Sequence, residues 1–560
     1  MGDQLLGLPG EILVLILSFL PLRDITACKR SCWQLRAVIK QSGLLRCRIR
    51  TMKNYIEDLS PPGLSTCDFL ESLKKWEKAW LTPGVGKEVA AQTAYIPYRG
   101  RSDFLLRSGY LIEMRHGEAP GFSYLDLSSQ RIVNGVQSSL DWTDIQLAAN
   151  ASIGGWALDV DQNLVAVSLL SRPSRKKRLE IRLLHFPTGT HHHSASLPDI
   201  QLDFEGKYDT TFGTHMEIMG DNIAVLLTHG SLLRRYQTLY LVNWVQGRVL
   251  CRRRTRVGTY FPALTSISED ILVLARKRDW ALELCKIARD GDRSTFALWT
   301  LCMLQLPAVH PKTRTDLTSC NRMPSGAPHS FATPRSSTLP FRSSPSDSIL
   351  AFSVCVSRRD KSFAEFRRLF FYVLPSTLRS LVAVFAGRAS EKRDGESKPR
   401  NTASGWLRRR AARTRLPPPV IVPWADWGPR TTRWVSPSAA FGRQTLSGMR
   451  CAFVERGWTL RVLDFNPGRL RRVVAVREND GEKVHIRLAV TTPNTTPAGH
   501  CFLQDFTSSL PYYELKRNGV KGNFIMDDEW IAQIESDSVF EPGGYSISVH
   551  SVLGNSPGSQ

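Results

Sequence analysis

The stretch Leu8–Ile39, LPGEILVLILSFLPLRDITACKRSCWQLRAVI, reads as three short helices. Pro9 sits where a first helical turn tolerates a missing N–H, and Glu11 follows where a negative charge meets the positive helix end. Ile12, Leu13, Ile16, Leu17 and Leu20 then recur at three- and four-residue steps. Pro21 stops this helix, and Asp24 is expected to cap a second one containing Ile25, Ala27 and Cys28. A third helix carries Cys32, Leu35, Val38 and Ile39 inward until Gly43 ends it.

Three helices in about 40 residues cannot bury this much aliphatic surface by themselves. The first helix is apolar almost all the way round, which calls for a partner on one face. Its run Ile12–Leu20 is not read as a signal peptide, because Asp3 and Glu11 precede it with no basic residue and no small-residue cleavage site follows. It is also far short of the ~20 residues that span a bilayer. No membrane partner is expected.

The pattern of LP, then E-I, an aliphatic helix ending in LP, an Asp and a third helix opening on a Cys resembles the F-box family over Leu8 to about Ile39. That resemblance implies docking onto a Skp-type adaptor through Leu8, Pro9, Ile12, Ile16, Leu20, Pro21, Ile25, Cys32 and Leu35, and through the adaptor to a cullin scaffold. It implies a substrate-recruiting subunit of a ubiquitin ligase, not itself an enzyme, working in the cytoplasm or nucleus. The departure is Trp33, an aromatic adjacent to Cys32 where the family places one a few residues on.

With the F-box at residues 1–45, residues 46–92 read as a helical connector. Thr66 or Asp68 can cap a helix in which Phe69, Leu73, Trp76 and Trp80 fall on one face, with Lys74, Lys75, Glu77 and Lys78 opposite. A large aromatic stripe at helical spacing is core, and its expected task is to fix the amino-terminal module against the larger carboxy-terminal domain. The arrangement of residues 1 to about 250 also resembles F-box proteins of mushroom-forming fungi.

From residue 93 to 560 the pattern changes to short β runs between turn signals. Strands preceded by acidic turns, at Asp159–Asn163, Asp221–Asn222 and Glu269–Asp270, recur in units of roughly 45–65 residues, which suits four-stranded propeller blades better than a two-sheet sandwich. The whole is an α+β multidomain chain: a small three-helix module, a connector and a large mainly-β, propeller-like domain. Clean WD-type dipeptides are missing; Trp244 in VNWVQG and Phe465 in LDFNPG stand where such signatures fall. Two stretches, about 308–346 and 387–418, are Ser/Thr/Pro-rich or basic and read as disordered insertions, with Thr333 and Ser344 as Thr-Pro and Ser-Pro dipeptides.

Of the 560 residues, 74 are Lys or Arg and 51 are Asp or Glu, a net charge of +23 that favours acidic partners. The excess concentrates in Arg172–Arg178, Arg252–Arg256 and Arg408–Arg415, read as solvated loops ahead of nucleic-acid contacts. A basic nucleic-acid scaffold is nonetheless the rival reading. The 11 cysteines contain no CxxC pair, consistent with free thiols in a reducing compartment. Sequons at Asn150 and Asn494 carry no weight there.

Candidate chemistry is sparse. PGVGKE at Pro83–Glu88 lacks the earlier Gly and the Ser or Thr of a phosphate loop. Adjacent His191, His192 and His193 point different ways on an extended chain, so no metal is expected, nor any other cofactor. No G-x-S-x-G, H-E-x-x-H or cysteine-nucleophile pattern is present.

Overall fold

The computed structural model describes residues 5–80, 92–97, 101–116, 120–128, 142–147, 151–171, 178–203, 211–230, 235–255, 260–289, 296–321, 338–358, 367–394, 419–437, 441–455, 458–470, 477–480, 483–499, 501–520, 522–536 and 544–552. The amino-terminal unit contains α1 (Gly10–Ser18), α2 (Leu22–Ser31), α3 (Trp33–Gln41) and α4 (Gly43–Asn54). Its small core joins Leu13, Leu17, Ile25, Leu35, Ile39 and Leu45.

Three details differ from the sequence reading. Pro21, not Asp24, stands at the amino end of α2, and Asp24 lies in the first turn, where its charge meets the positive end of the helix dipole. Gly43 opens a fourth helix because the Ser42 hydroxyl accepts the Leu45 N–H and caps it. The module boundary read at residue 45 therefore falls inside α4.

α4 ends at Tyr55 in a left-handed conformation (φ 55°). The chain then forms β1 (Ile56–Asp58) and α5 (Thr66–Ala79). Ser65 caps α5 reciprocally: its Oγ accepts the Asp68 N–H at 3.1 Å and donates to the Asp68 carboxylate at 2.6 Å. Phe69, Leu73, Trp76 and Trp80, the stripe read from spacing, are all buried.

The β region is a seven-bladed propeller. Blades 1 to 3 are consecutive antiparallel meanders over 101–146, 151–203 and 211–254. Blade 4 spans 264–305 and gains a parallel fifth strand, Val420–Val422, against Cys302–Leu304. Blade 5 takes Thr313–Asn321, Leu350–Arg358, Arg367–Val373 and Thr432–Val435. Blade 6 begins at Phe441 and extends outward to six strands. Blade 7 closes the ring: Asn523–Met526, Trp530–Ser536 and Gly544–Ser551 are completed by Gln92–Pro97, paired Gln92 to Val549 and Pro97 to Gly544. A strand from the start of the domain thus zips onto its end, which excludes the sandwich alternative.

Separate apolar clusters fill the wedges between neighbouring blades. In each blade the buried residues on the two sheet faces serve two different wedges, so central strands read as continuous apolar runs such as Ile223–Leu227 and Ile271–Ala275. The acidic turns at 159–163, 221–222 and 269–270 join first and second strands of blades 2, 3 and 4. Trp244 is buried and donates its indole N–H to Gly220 O at 2.8 Å, locking one turn of blade 3 to another; Phe465 is buried between blades 5 and 6.

Two expected insertions are corrected in part. Within 308–346, Thr313–Asn321 is the innermost strand of blade 5 and Phe341–Ser343 pairs with β1; the β-branched Thr313 and Thr315 suit strand positions as well as loops. Thr333 lies outside the described residues. Ser344 is buried and donates its N–H to Tyr55 O at 2.8 Å. Of 387–418, the start belongs to the helix Pro375–Asp394, and 395–418 lies outside the described residues. Nor is Arg252–Arg254 a loop: it ends the strand Arg248–Arg254 on the outer edge of blade 3.

Candidate adaptor interface

α1 buries Leu13 and Leu17 and turns the rest of its apolar surface outward. Ile12, Leu15, Ile16 and Phe19 follow one another at steps of three, one and three residues, one helical stripe, and are 43%, 55%, 38% and 77% exposed. Leu8 precedes the stripe, also exposed, and Trp33 is a further exposed aromatic at the start of α3. Full burial of such a side chain is worth about 1.5–3 kcal/mol, so the stripe carries enough to hold a partner.

The structure divides the residues predicted to dock. Leu8, Pro9, Ile12, Ile16 and Pro21 are exposed. Leu20 is half-buried, and half-buried Cys32 caps α3 through its Sγ and the Leu35 N–H. Ile25 and Leu35 are buried in the module's small core. Leu15 and Phe19 are not among the docking residues read from sequence, and Trp33 entered there only as a departure from the family pattern. A helix apolar all round does not reveal which stripe faces inward, and only its packing against α2–α4 settles it.

The module is latched to the propeller in layers. Arg50 of α4 grips Glu77 of α5 with two hydrogen bonds, at 2.6 and 3.1 Å, and Asn54 Nδ2 donates to the same carboxylate at 2.7 Å. β1 pairs antiparallel with Phe341–Ser343, a strap carried in the turn between the first two strands of blade 5. In the strap, Arg342 joins Glu57 of β1 at 2.7 Å and Asp161 of blade 2. Burial works against the Arg342 charge, yet the Asp161 and Glu57 carboxylates more than offset it and raise its pKa.

The next strap residue ties the other side. The Ser343 N–H donates to the Asp528 carboxylate at 2.6 Å, and Ser447 of blade 6 donates to it at 2.9 Å. Thr338 N–H donates to Glu529 at 3.0 Å. α5 lies over the same place: Trp76 and Trp80 share a cluster with Phe341, Val462, Phe524 and Met526, and the Arg450 guanidinium sits 4.5 and 4.3 Å from their ring centroids. Asp161 and Asp528 belong to turns between first and second strands and Ser447 borders another, so strap and connector cover one face of the ring.

Residues 5–50 match the F-box-like family model. The F-box-like module therefore takes in α1–α3 and most of α4, the helix whose carboxyl end grips α5. No curated protein matches the chain. Among solved structures, the β-propeller domain of Cps50 (Swd1) from Myceliophteria thermophila is 9% identical, covering 82% of this chain and 99% of that one with a TM-score of 0.35. Kluyveromyces lactis Hsv2 is 14% identical over 37% of this chain and 62% of its own, TM-score 0.26. Galerina marginata prolyl oligopeptidase B is 9% identical over 86% and 57%, TM-score 0.28. These likenesses are loose, and it is the strand order of the chain itself that defines the propeller.

The structure describes some of the other candidate motifs and not others. PGVGKE, the basic residues 172–177, Arg408–Arg415 and Asn150 lie outside the described residues. His192 is buried, with Nε2 2.9 Å from Gln162 O and Nδ1 accepting the Ser194 N–H, while His191 and His193 are exposed. Burial lowers the His192 pKa, which suits a neutral ring with both nitrogens engaged. Among the described residues no group of three or more His, Cys, Asp or Glu is placed to hold a metal ion, and no helix is long and apolar enough to cross a membrane.

Proposed function

We propose that this protein is a substrate-recruiting subunit of a Skp-cullin-F-box ubiquitin ligase. The exposed stripe Leu8, Ile12, Leu15, Ile16 and Phe19 docks on a Skp-type adaptor, which links to a cullin scaffold, and the propeller holds a protein substrate. The chain then acts by proximity: holding the substrate beside the ubiquitin-charged enzyme raises its effective concentration, and bond making belongs to other subunits. Its place of work is the cytoplasm or nucleus.

The observation that supports this reading best is the pairing of an unburied apolar stripe on an F-box-like module with a rigid latch to a propeller. A receptor that positions substrates needs both the sticky surface and the fixed geometry. The connector occupies one propeller face, which leaves the other rim for substrate.

The test is co-purification of the full chain with a Skp-type adaptor at moderate salt, comparing wild type with Ile16→Glu/Phe19→Glu. Both residues are exposed, so the variant is expected to fold and melt as wild type does while losing the one-to-one complex. Wild-type protein that does not bind the adaptor, or a variant that binds unchanged, overturns the proposal.

A further inference from the structure

The basic run ending blade 3 lies in a setting that a solvated edge does not require. In its register Arg252 stands opposite Tyr240, Arg254 opposite Thr238, and Tyr236 opposite His229 of the next strand. Because side chains alternate along a strand, Arg252, Arg254, Tyr236, Tyr240 and His229 share one sheet face. Arg252 lies over the Tyr240 ring at 5.5 Å, and the Tyr236 and His229 rings stack with centroids 6.0 Å apart. Tyr240 is fixed from below, its hydroxyl donating to Asp203 O of blade 2 at 2.7 Å.

Both arginines are exposed, and Tyr236 is 39% exposed although its cross-strand partner His229 is buried. The inner half of this sheet face is apolar core between blades 2 and 3. The patch is therefore a rim with the Arg252 guanidinium seated on Tyr240, Arg254 two positions further along the same strand, and an outward aromatic ring beside them. Arg254 pairs with Thr238, two residues from Tyr236 on the neighbouring strand, so this diagonal pair stands about 7–8 Å apart, the scale of one nucleotide with its phosphate.

We infer that Arg252, Arg254 and Tyr236 form a binding site for single-stranded nucleic acid on the outer edge of blade 3. The arginines contact backbone phosphate and Tyr236 stacks on an unpaired base. A single strand offers a phosphate and an unstacked base side by side at every step, which matches guanidinium groups beside an outward ring; an acidic peptide offers a ring only where its sequence supplies one, and a duplex keeps its bases stacked on each other. The site lies away from the face that the strap covers and does not depend on the ligase reading.

The full chain is titrated into a fluorescein-labelled oligouridylate, the matching duplex, and phosphatidylserine vesicles, at KCl from about 50 to about 200 mM. Wild type is expected to bind the single strand, with affinity falling as salt rises. Arg252→Gln/Arg254→Gln is expected to flatten the log–log salt slope by about 1.4, two contacts at about 0.7 each. Tyr236→Ala is expected to weaken binding about 5- to 150-fold at unchanged slope, with Tyr236→Phe restoring it. No binding to the single strand at about 50 mM KCl, binding to vesicles in its place, or variants that bind as wild type does overturns the inference. The aromatic pair keeps the test decisive if the arginine variant folds poorly.

Discussion

Trp76 donates its indole N–H to the main-chain carbonyl of Asp528 at 2.7 Å, across 452 residues of sequence. Trp80 reaches the same carbonyl at 3.2 Å. The connector helix is thus bonded to the turn that opens the closing blade, and the ring and the F-box-like module stabilise each other. Trp76→Ala should destabilise the protein by about 3–5 kcal/mol, since it removes a wholly buried aromatic and the surface beneath Arg450. Trp76→Phe retains most of the burial and should cost about 1 kcal/mol. Urea unfolding followed by circular dichroism distinguishes the two.

Arg342 bridges Glu57 and Asp161, and its side chain is 12% exposed. Arg342→Ala would take the guanidinium away from two carboxylates that are themselves 26% and 9% exposed, and breaking such a pair costs about 3–5 kcal/mol. The effect should be local. Hydrogen exchange of the Ile56–Asp58 amides should accelerate while that of α2 and α3 stays as in wild type. Unchanged exchange in β1 would show that pairing with the strap does not depend on the arginine.

The parts of this fold that sequence revealed are those with short-range causes. The α1 boundary came from Pro9 and Pro21, the α5 stripe from spacing, and the blade turns from the acidic clusters Asp159–Asn163, Asp221–Asn222 and Glu269–Asp270. What sequence could not supply depends on partners far along the chain. Phe341–Ser343 looks like Ser/Thr/Pro-rich loop until Ile56–Asp58 lies beside it, 285 residues away for the Glu57–Arg342 pair. Likewise, Arg252–Arg254 reads as a charge run, and only the neighbouring strand brings Tyr240 beneath it. In α1 the composition announced an unpartnered face, but Ile12 and Leu13 are indistinguishable until α2–α4 choose one of them.

Asp527 joins blade 7 to blade 1. Its carboxylate accepts the Gly109 N–H at 2.8 Å on one oxygen and the Glu529 and Trp530 N–H groups at 2.9 and 2.8 Å on the other. Burial pushes its pKa up to about 7, against the pull of those three N–H groups and with a further push from Glu529. An acid whose folded pKa lies above its unfolded value of about 3.9 binds more protons when folded. Its contribution to stability is therefore complete below about pH 4 and is lost as pH rises through about 7. Asp527→Asn removes that titration and also disrupts the Gly109 bond. The difference in unfolding free energy between wild type and variant should shrink from pH 4 to pH 7, and a difference independent of pH would refute the assignment.

Leu17 and Phe19 are two residues apart and should behave oppositely. Leu17 is 4% exposed and fills the small core against Ile25, Leu35 and Ile39, so Leu17→Ala should destabilise the helical unit by about 2–5 kcal/mol. That unit has few core residues, and the loss should appear as a separate early transition on heating, before the propeller melts. Phe19 is 77% exposed, and Phe19→Ala removes no buried contact, so stability should change by no more than about 0.5 kcal/mol. If the stripe docks a partner, the order reverses in a binding assay normalised to folded protein: Phe19→Ala weakens the complex, while the fraction of Leu17→Ala that remains folded binds normally. Equal effects of the two substitutions on melting would mean that α1 packs through a different face.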